Sequence, residues 1–143
     1  MDTDHMIENA LKMPCRQIFR DQGEKTFRAL EKEQITSLKE RSNHVIAIGG
    51  GTLADPDNAA ILKNVGCLVY IKISLGVLWK RMQSRELPAY LDKEHPEDSF
   101  YTLAKKRIPA YEAATQFTIE ADHLTEEEIV SAIIKHRNQI YGQ

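Results

Sequence analysis

The 143-residue sequence has little cysteine, little net charge and no long apolar run. Its two cysteines, Cys15 and Cys67, lie in apolar surroundings far apart, which favours free buried thiols over a disulfide framework or a metal site and predicts an intracellular protein. A formal charge of −2 disfavours nucleic acid as the main partner. The longest apolar run, within CLVYIKI, is too short for a membrane span, and the acidic start is unlike a signal peptide.

Alternating helical and strand-like patterns predict an α/β fold in a single domain, for which this length is sufficient. We expect three strands, in VIAI before the glycines, in CLVYIKIS and in QFTIEA, the first of them fully buried. Helices are expected between them, including two that are separated near Gly23 and a last one whose Thr125 and Glu128 have capping-box spacing. Three strands are few for so much helix, so we expect that an element preceding MDTD is missing.

The first residues carry two carboxylates, Asp2 and Asp4. In an extended segment they would point to the same face about 7 Å apart. Their repulsion, on the order of 2 kcal/mol at an effective dielectric near 20, would be relieved by a cation or by a hydrogen-bonding polyol. A disordered acidic terminus and a helix cap at Asp4 are the alternatives.

Three consecutive glycines, Gly49 to Gly51, follow the first predicted strand. Ligands of parallel α/β sheets bind beyond the C-terminal ends of the strands, and glycine lets backbone N–H groups approach a ligand closely. The glycines therefore indicate a binding loop. A flexible connection between strand and helix is the alternative.

Four segments, in this order, resemble the shikimate kinases along nearly the whole chain: DTDHMIE, IFRDQGEKTFRALE, VIAIGGG and KKRIPAYEAA. The resemblance implies a P-loop kinase-like parallel sheet flanked by helices. It also implies transfer of the γ-phosphoryl group of ATP to the 3-hydroxyl of shikimate, with Mg²⁺, on the way to chorismate and aromatic amino acids. A cytoplasmic monomer is expected, with substrate-binding helices over residues 4–41 and a lid over residues 85–98.

The resemblance also implies roles for residues on the shikimate side of the site. Asp4 would bind the substrate hydroxyls and serve as the catalytic base, Arg28 and Arg107 would hold the carboxylate, and Gly50 would offer its backbone amide. Glu31, three residues after Arg28, would keep that arginine in place. The alternatives are an exposed helix ion pair for Arg28 and Glu31, and a solvated side chain for Arg107.

On the nucleotide side, the resemblance implies that Asp2 helps to hold Mg²⁺ and that Arg81 lies along the adenine ring. A basic helix end facing the negative pole of the helix dipole explains Arg81 nearly as well. The lid of the family carries R-P-L-L, but the matching stretch here is ELPAYL, which puts Leu87 at the arginine position. Arg85 is the candidate substitute.

No phosphate-binding G-x-x-x-x-G-K-[ST] motif occurs in the 143 residues. Because that loop supplies most of the positioning and charge neutralisation in phosphoryl transfer, we expect the chain alone to be inactive. The working hypothesis is a shikimate kinase that lacks its first strand, phosphate loop and first helix, roughly 30 residues. A non-catalytic shikimate-binding module and another small-molecule kinase, such as a gluconate kinase, are the rival hypotheses.

Overall fold

The computed structural model describes residues 1–142. These form two compact units, the first made of Met1–Gly66 and Pro88–Pro96, the second of Cys67–Leu87 and the described residues from Glu97 onward. Helices combined with parallel strands confirm the predicted α/β class. The single-domain organisation stays a prediction. Among the described residues, none of the helices has the length and apolar character that would let it cross a membrane.

The first unit is mainly helical. It contains α1 (Thr3–Leu11), α2 (Cys15–Ser37), α3 (Pro56–Val65) and two single 3₁₀ turns, Leu38–Glu40 and Thr52–Ala54. Helix α2 includes the predicted interruption, because Gly23 has a φ of 82° and a ψ of 168° and so separates two helical segments. This backbone conformation is essentially restricted to glycine.

A small apolar core joins α1 to both segments of α2. Ile7 of α1 packs with Ile18 and Phe27 of α2, and all three are buried. Phe19 and Phe27 meet edge to face with their ring centroids 5.9 Å apart. The core therefore fixes α1 against α2, so that Asp4 and Arg28 are carried on helices that share one packed interface.

The segment Val45–Ile48 was expected to be a fully buried strand, and that prediction is wrong. Ala47 makes an isolated parallel bridge to Asp2, and Val45 is 84% exposed. Hydrogen bonds hold the two segments together. The N-terminal ammonium of Met1 donates to the Val45 carbonyl (2.7 Å), and the N–H of Thr3 donates to the Ala47 carbonyl (3.0 Å). The pairing stops where α1 begins, so it is too short to form a ladder, and a buried strand needs partners along both edges.

The second unit contains β1 (Val69–Lys72), α4 (Leu75–Gln83), α5 (Pro96–Ala114), β2 (Phe117–Glu120) and α6 (Glu126–Tyr141). The two strands are parallel and in register from Val69 opposite Phe117 to Lys72 opposite Glu120. Strand β1 was expected to be buried, but Ile71 is 43% exposed and the other three residues of the strand are only partly buried. Thr125 and Glu128 form the predicted capping box at the start of α6.

Two glycines with different backbone geometry give a direct test of the interruption in α2. Gly23 has positive φ, so Gly23→Ala should lower the free energy of unfolding by about 1–2 kcal/mol although a Cβ there would meet no atom within 4 Å. Gly76 lies inside α4 with equally open space, so Gly76→Ala should instead stabilise by about 0.5–1 kcal/mol. Urea unfolding of both variants measures the difference. Equal effects of the two substitutions would contradict it.

Candidate active site

Gly49 lies where α1, α2 and the glycine-rich loop meet. Its N–H donates a hydrogen bond to Oγ1 of Thr3 (3.2 Å), which is fully buried. A Cβ placed on Gly49 would lie 3.1 Å from both Oδ1 of Asp4 and Oε1 of Glu31. These contacts would be tighter than ordinary packing, so glycine at this position lets two carboxylates from different helices approach the loop backbone.

Arg28 lies against the same loop, one turn before Glu31 on α2. Its Nη1 donates a hydrogen bond to Oε2 of Glu31 (2.9 Å), and its Nε lies 3.6 Å from a carboxylate oxygen of Glu24. A Cβ on Gly51 would lie 2.5 Å from Nη1 of Arg28, within van der Waals overlap. The guanidinium thus occupies the space that a side chain at Gly51 would take, and with 32% of the side chain exposed it remains accessible to an anion.

Glu31 is the buried carboxylate that organises these groups. Its side chain is 2% exposed. One oxygen accepts from Arg28, and the other accepts from the hydroxyl of Thr52 (2.7 Å). The contact between Arg28 and Glu31 is therefore not the exposed helix ion pair considered as an alternative, because one partner is removed from water and both of its oxygens have donors.

Asp4 belongs to the first turn of α1 and not to an extended segment, so the predicted side-by-side arrangement with Asp2 is wrong. Burial raises the pKa of the Asp4 carboxyl, and the negative charges of Asp2, Glu31 and Glu8 raise it further. The same surroundings affect Cys15, whose thiol contacts the Asp4 carbonyl (3.4 Å). Burial, followed by the charges of Asp4 and Glu8, raises the pKa of Cys15 to about 12. Negative potential is concentrated beside Asp4, and it would favour a cation or a proton there.

Asp2 is the N-cap of α1, a position that the sequence analysis had considered for Asp4. Its Oδ1 accepts hydrogen bonds from the backbone N–H groups of Asp4 (2.8 Å) and His5 (3.2 Å). In the described part of the chain, no three His, Cys, Asp or Glu side chains cluster as a metal cage.

The remaining candidate residues belong to the second unit. Arg81 lies in the last turn of α4 and is exposed, as is Arg85 just beyond that helix, while Arg107 is half-buried on α5. Asp122, which follows β2, accepts a bond from the backbone N–H of Ser74 at the start of α4 (2.6 Å). That bond holds the pKa of Asp122 below its usual range, with a smaller contribution from the positive charge of Arg81. The convergence of Arg107 with Arg28 stays a prediction.

Sequence analysis missed the buried polar residues behind the glycine loop, Thr3, Thr52 and Asn58. Each makes its hydrogen bond to a residue that is distant in sequence or to the loop backbone, which no local pattern reveals. A weak signal was present, because Thr52 directly follows the three glycines and Asn58 interrupts the apolar pattern of a short helix.

The fold and this site define an α/β protein in which a glycine-rich loop lies between an arginine and an aspartate, an arrangement suited to a small anionic ligand. The model of the shikimate kinase family matches residues 1–138, and the chain belongs to that family, whose members phosphorylate shikimate with ATP. It is 34% identical over 140 residues to the shikimate kinase of Thermodesulfovibrio yellowstonii, covering 98% of this chain and 80% of that protein. Its identity to the enzyme of Caldanaerobacter subterraneus is 31%, covering 100% of this chain and 83% of that one.

Solved structures agree with this assignment. The shikimate kinase of Acinetobacter baumannii in complex with shikimate matches with a TM-score of 0.90 at 27% identity, covering 99% of this chain and 79% of that one. The enzyme of Aquifex aeolicus matches with a TM-score of 0.79 at 28% identity, covering 99% and 83% of the two chains. The predicted P-loop kinase-like fold class and the predicted shikimate kinase family are thereby confirmed.

The raised pKa of Asp4 leads to a prediction about stability and pH. Because the folded-state pKa lies above the unfolded value, the folded state binds more protons between the two values, and its stability falls as the pH rises through that interval. Asp4→Asn removes this destabilising charge. The variant should have a higher melting temperature than the unchanged chain at pH 7, and the difference should shrink as the pH falls toward 3.8. Melting curves of both proteins, recorded from pH 3.5 to 8 at intervals of about half a pH unit, would measure this difference in melting temperature.

Glu8→Gln is the matched control, since it removes one contributor to the Asp4 shift while leaving Asp4 itself ionisable. Its effect on the melting temperature at pH 7 should be smaller than that of Asp4→Asn. A melting temperature for Asp4→Asn that is lower than that of the unchanged chain at pH 7 would be incompatible with an unfavourable charge at this position.

Proposed function

We propose that this chain binds shikimate between α1, α2 and the glycine-rich loop as the phosphoryl acceptor of a shikimate kinase reaction. The observation that carries the proposal is the Arg28 guanidinium, which lies against Gly51 and is fixed by the buried Glu31. The complex of the Acinetobacter baumannii relative with shikimate supports the choice of ligand.

Arg28 has the chemistry to bind the carboxylate of this acid. An arginine offers five N–H donors in a planar fork that matches a carboxylate, and Glu31 and Glu24 engage only part of it. The charge of Arg28 is already balanced by these glutamates, so a second cation would strengthen binding of an anion. Arg107 is the proposed second cation, and the backbone amide of Gly50 is the proposed third donor.

Asp4 is the proposed catalytic base. Burial and the neighbouring negative charges raise its pKa, which makes its carboxylate a stronger base than an ordinary aspartate. Hydrogen bonds from Asp4 to the substrate hydroxyls would orient the attacking oxygen. Removal of the hydroxyl proton as the phosphoryl group is transferred would complete its role.

ATP is the phosphoryl donor of the family, and we assign its contacts to Arg81, Arg85 and the lid. The segment between α4 and α5 has no regular secondary structure over residues 84–95, which fits a lid that closes over bound substrates. Asp2 is the proposed protein contact of Mg²⁺, because the carboxylate oxygens of Asp2 suit a hard cation. When bound, the ion neutralises charge on the phosphates; Asp2 itself orders the start of α1 and so positions Asp4.

A cytoplasmic location is proposed as well, supported by the two free cysteines, Cys15 and Cys67, which persist as thiols in a reducing compartment. The monomeric state rests on the family resemblance alone. A shikimate-binding module without kinase activity is the remaining rival function. It predicts binding of the acid with no dependence on ATP and no turnover even when a G-x-x-x-x-G-K-[ST] segment is supplied, whereas a kinase should then release ADP.

The role of Arg28 is tested by shikimate binding to three variants in isothermal titration calorimetry. Arg28→Ala should weaken binding by more than about 1 kcal/mol, because it removes a charge-assisted hydrogen bond. Arg28→Lys should recover only part of the affinity, since lysine keeps the charge but loses the planar fork. Arg20→Ala is the control on the same helix, because Arg20 is 68% exposed and pairs with Asp21. Unchanged affinity in Arg28→Ala would refute the assignment.

Turnover is the second test of the proposal. The 143 residues contain no G-x-x-x-x-G-K-[ST] sequence, and loss of a whole phosphate cradle should lower the rate by much more than the roughly 10²–10³-fold effect of one donor. The polypeptide of these residues should therefore bind shikimate without phosphorylating it. A coupled assay for ADP release with ATP and shikimate measures this. Turnover at an ordinary kinase rate would show that phosphate binding is achieved in another way.

A further inference from the structure

The glycine-rich loop ends in a tight turn that is stabilised by backbone hydrogen bonds. The N–H of Thr52 donates to the Gly49 carbonyl (3.0 Å), and the N–H of Ala54 donates to the Gly51 carbonyl (3.1 Å). Thr52 is fully buried at the start of this turn. The position of Thr52 is therefore fixed relative to the glycines. Its side-chain hydroxyl and its backbone carbonyl connect the loop to two different helices.

Those two connections form a continuous chain of hydrogen bonds. The Thr52 hydroxyl donates to Oε1 of Glu31 on α2 (2.7 Å), and the Thr52 carbonyl accepts from Nδ2 of Asn58 on α3 (3.3 Å). Glu31 in turn accepts from Nη1 of Arg28 (2.9 Å). The chain thus runs from Asn58 through Thr52 and Glu31 to Arg28, and only Arg28 is open to solvent.

Asn58 is an unexpected residue at its position if stability alone is considered. Its side chain is 1% exposed, and its Oδ1 has no hydrogen-bond partner among the described residues. A buried acceptor without a partner is destabilising, and an apolar residue of similar size would avoid that penalty. What Asn58 adds is the hydrogen bond from its Nδ2 to the Thr52 carbonyl, so its contribution lies in the geometry of the loop.

We propose that Thr52 and Asn58 are positioning residues of the shikimate site, which hold Glu31 and thereby the Arg28 guanidinium in the orientation that receives the carboxylate. This inference rests on the proposed function. Both side chains are buried, so each would act through another residue. Asn58 fixes the backbone of Thr52, the Thr52 hydroxyl fixes one oxygen of Glu31, and the other oxygen fixes Arg28. Supporting residues of this kind allow a binding group to be held in its productive geometry before the ligand arrives.

A pair of Thr52 variants separates the hydroxyl from the shape of the side chain. Thr52→Val keeps the branched shape and removes the donor to Glu31, so shikimate affinity in calorimetry should fall about tenfold, the effect of losing one hydrogen bond to a charged group. Thr52→Ser keeps the hydroxyl and should stay within about twofold of the unchanged chain, because the donor to the charged group is retained. Equal affinities of the valine and serine variants would overturn the proposal.

Asn58→Leu provides a readout that a purely structural role would not give. It removes the unpartnered Oδ1 together with the bond to the loop, so the melting temperature should stay unchanged or rise while shikimate affinity falls several-fold. Stability and affinity would then move in different directions. A variant in which both fall together, or in which affinity does not change, would contradict positioning.

The same titrations distinguish this inference from the proposed function. If the unchanged chain does not bind shikimate, or if Arg28→Ala binds as well as the unchanged chain, the proposed function fails and this inference fails with it. If Arg28→Ala loses affinity while Thr52→Val and Asn58→Leu retain it, the proposed function stands and only the positioning roles are wrong.

Discussion

The site depends on the burial of one carboxylate, that of Glu31. A charge that is removed from water is strongly unfavourable unless each of its oxygens has a donor, and the removal of either donor leaves the penalty uncompensated. Arg28 supplies one donor from the same helix, and Thr52 supplies the other from the glycine-rich loop. Because the two donors belong to different segments, satisfying Glu31 requires the loop to lie against α2 in one particular way.

The glycines follow from this constraint. With Glu31 and Asp4 on one side and the Arg28 guanidinium on the other, a side chain at Gly49 or Gly51 would occupy space that these groups already fill. Burial, together with the crowding of negative charge, raises the pKa of Asp4, so the folded protein is less stable at neutral pH than it would be with an uncharged residue there. Such unfavourable electrostatics are common where a protein binds or transforms a ligand.

The sequence predicts features that depend on neighbouring residues better than features that depend on contacts between distant residues. The interruption at Gly23 and the capping box of Thr125 and Glu128 depend on neighbours a few residues away, and both were predicted correctly. The buried strand at Val45–Ile48 was not, because strand formation depends on partners elsewhere, and among residues 1–142 only the short N-terminal segment pairs with it. The contributions of Thr52 and Asn58 were missed for the same reason.

The organising contacts of the proposed acceptor site all lie in the first unit, between Asp2 on α1 and Asn58 on α3. None of them involves a phosphate-binding loop. In the proposed function, recognition of the acid therefore depends on the buried hydrogen bonds around Glu31, whereas phosphoryl transfer depends on amides and cations around a nucleotide. It follows that the acceptor site can be organised before ATP is present, and that a defect in one set need not abolish the other.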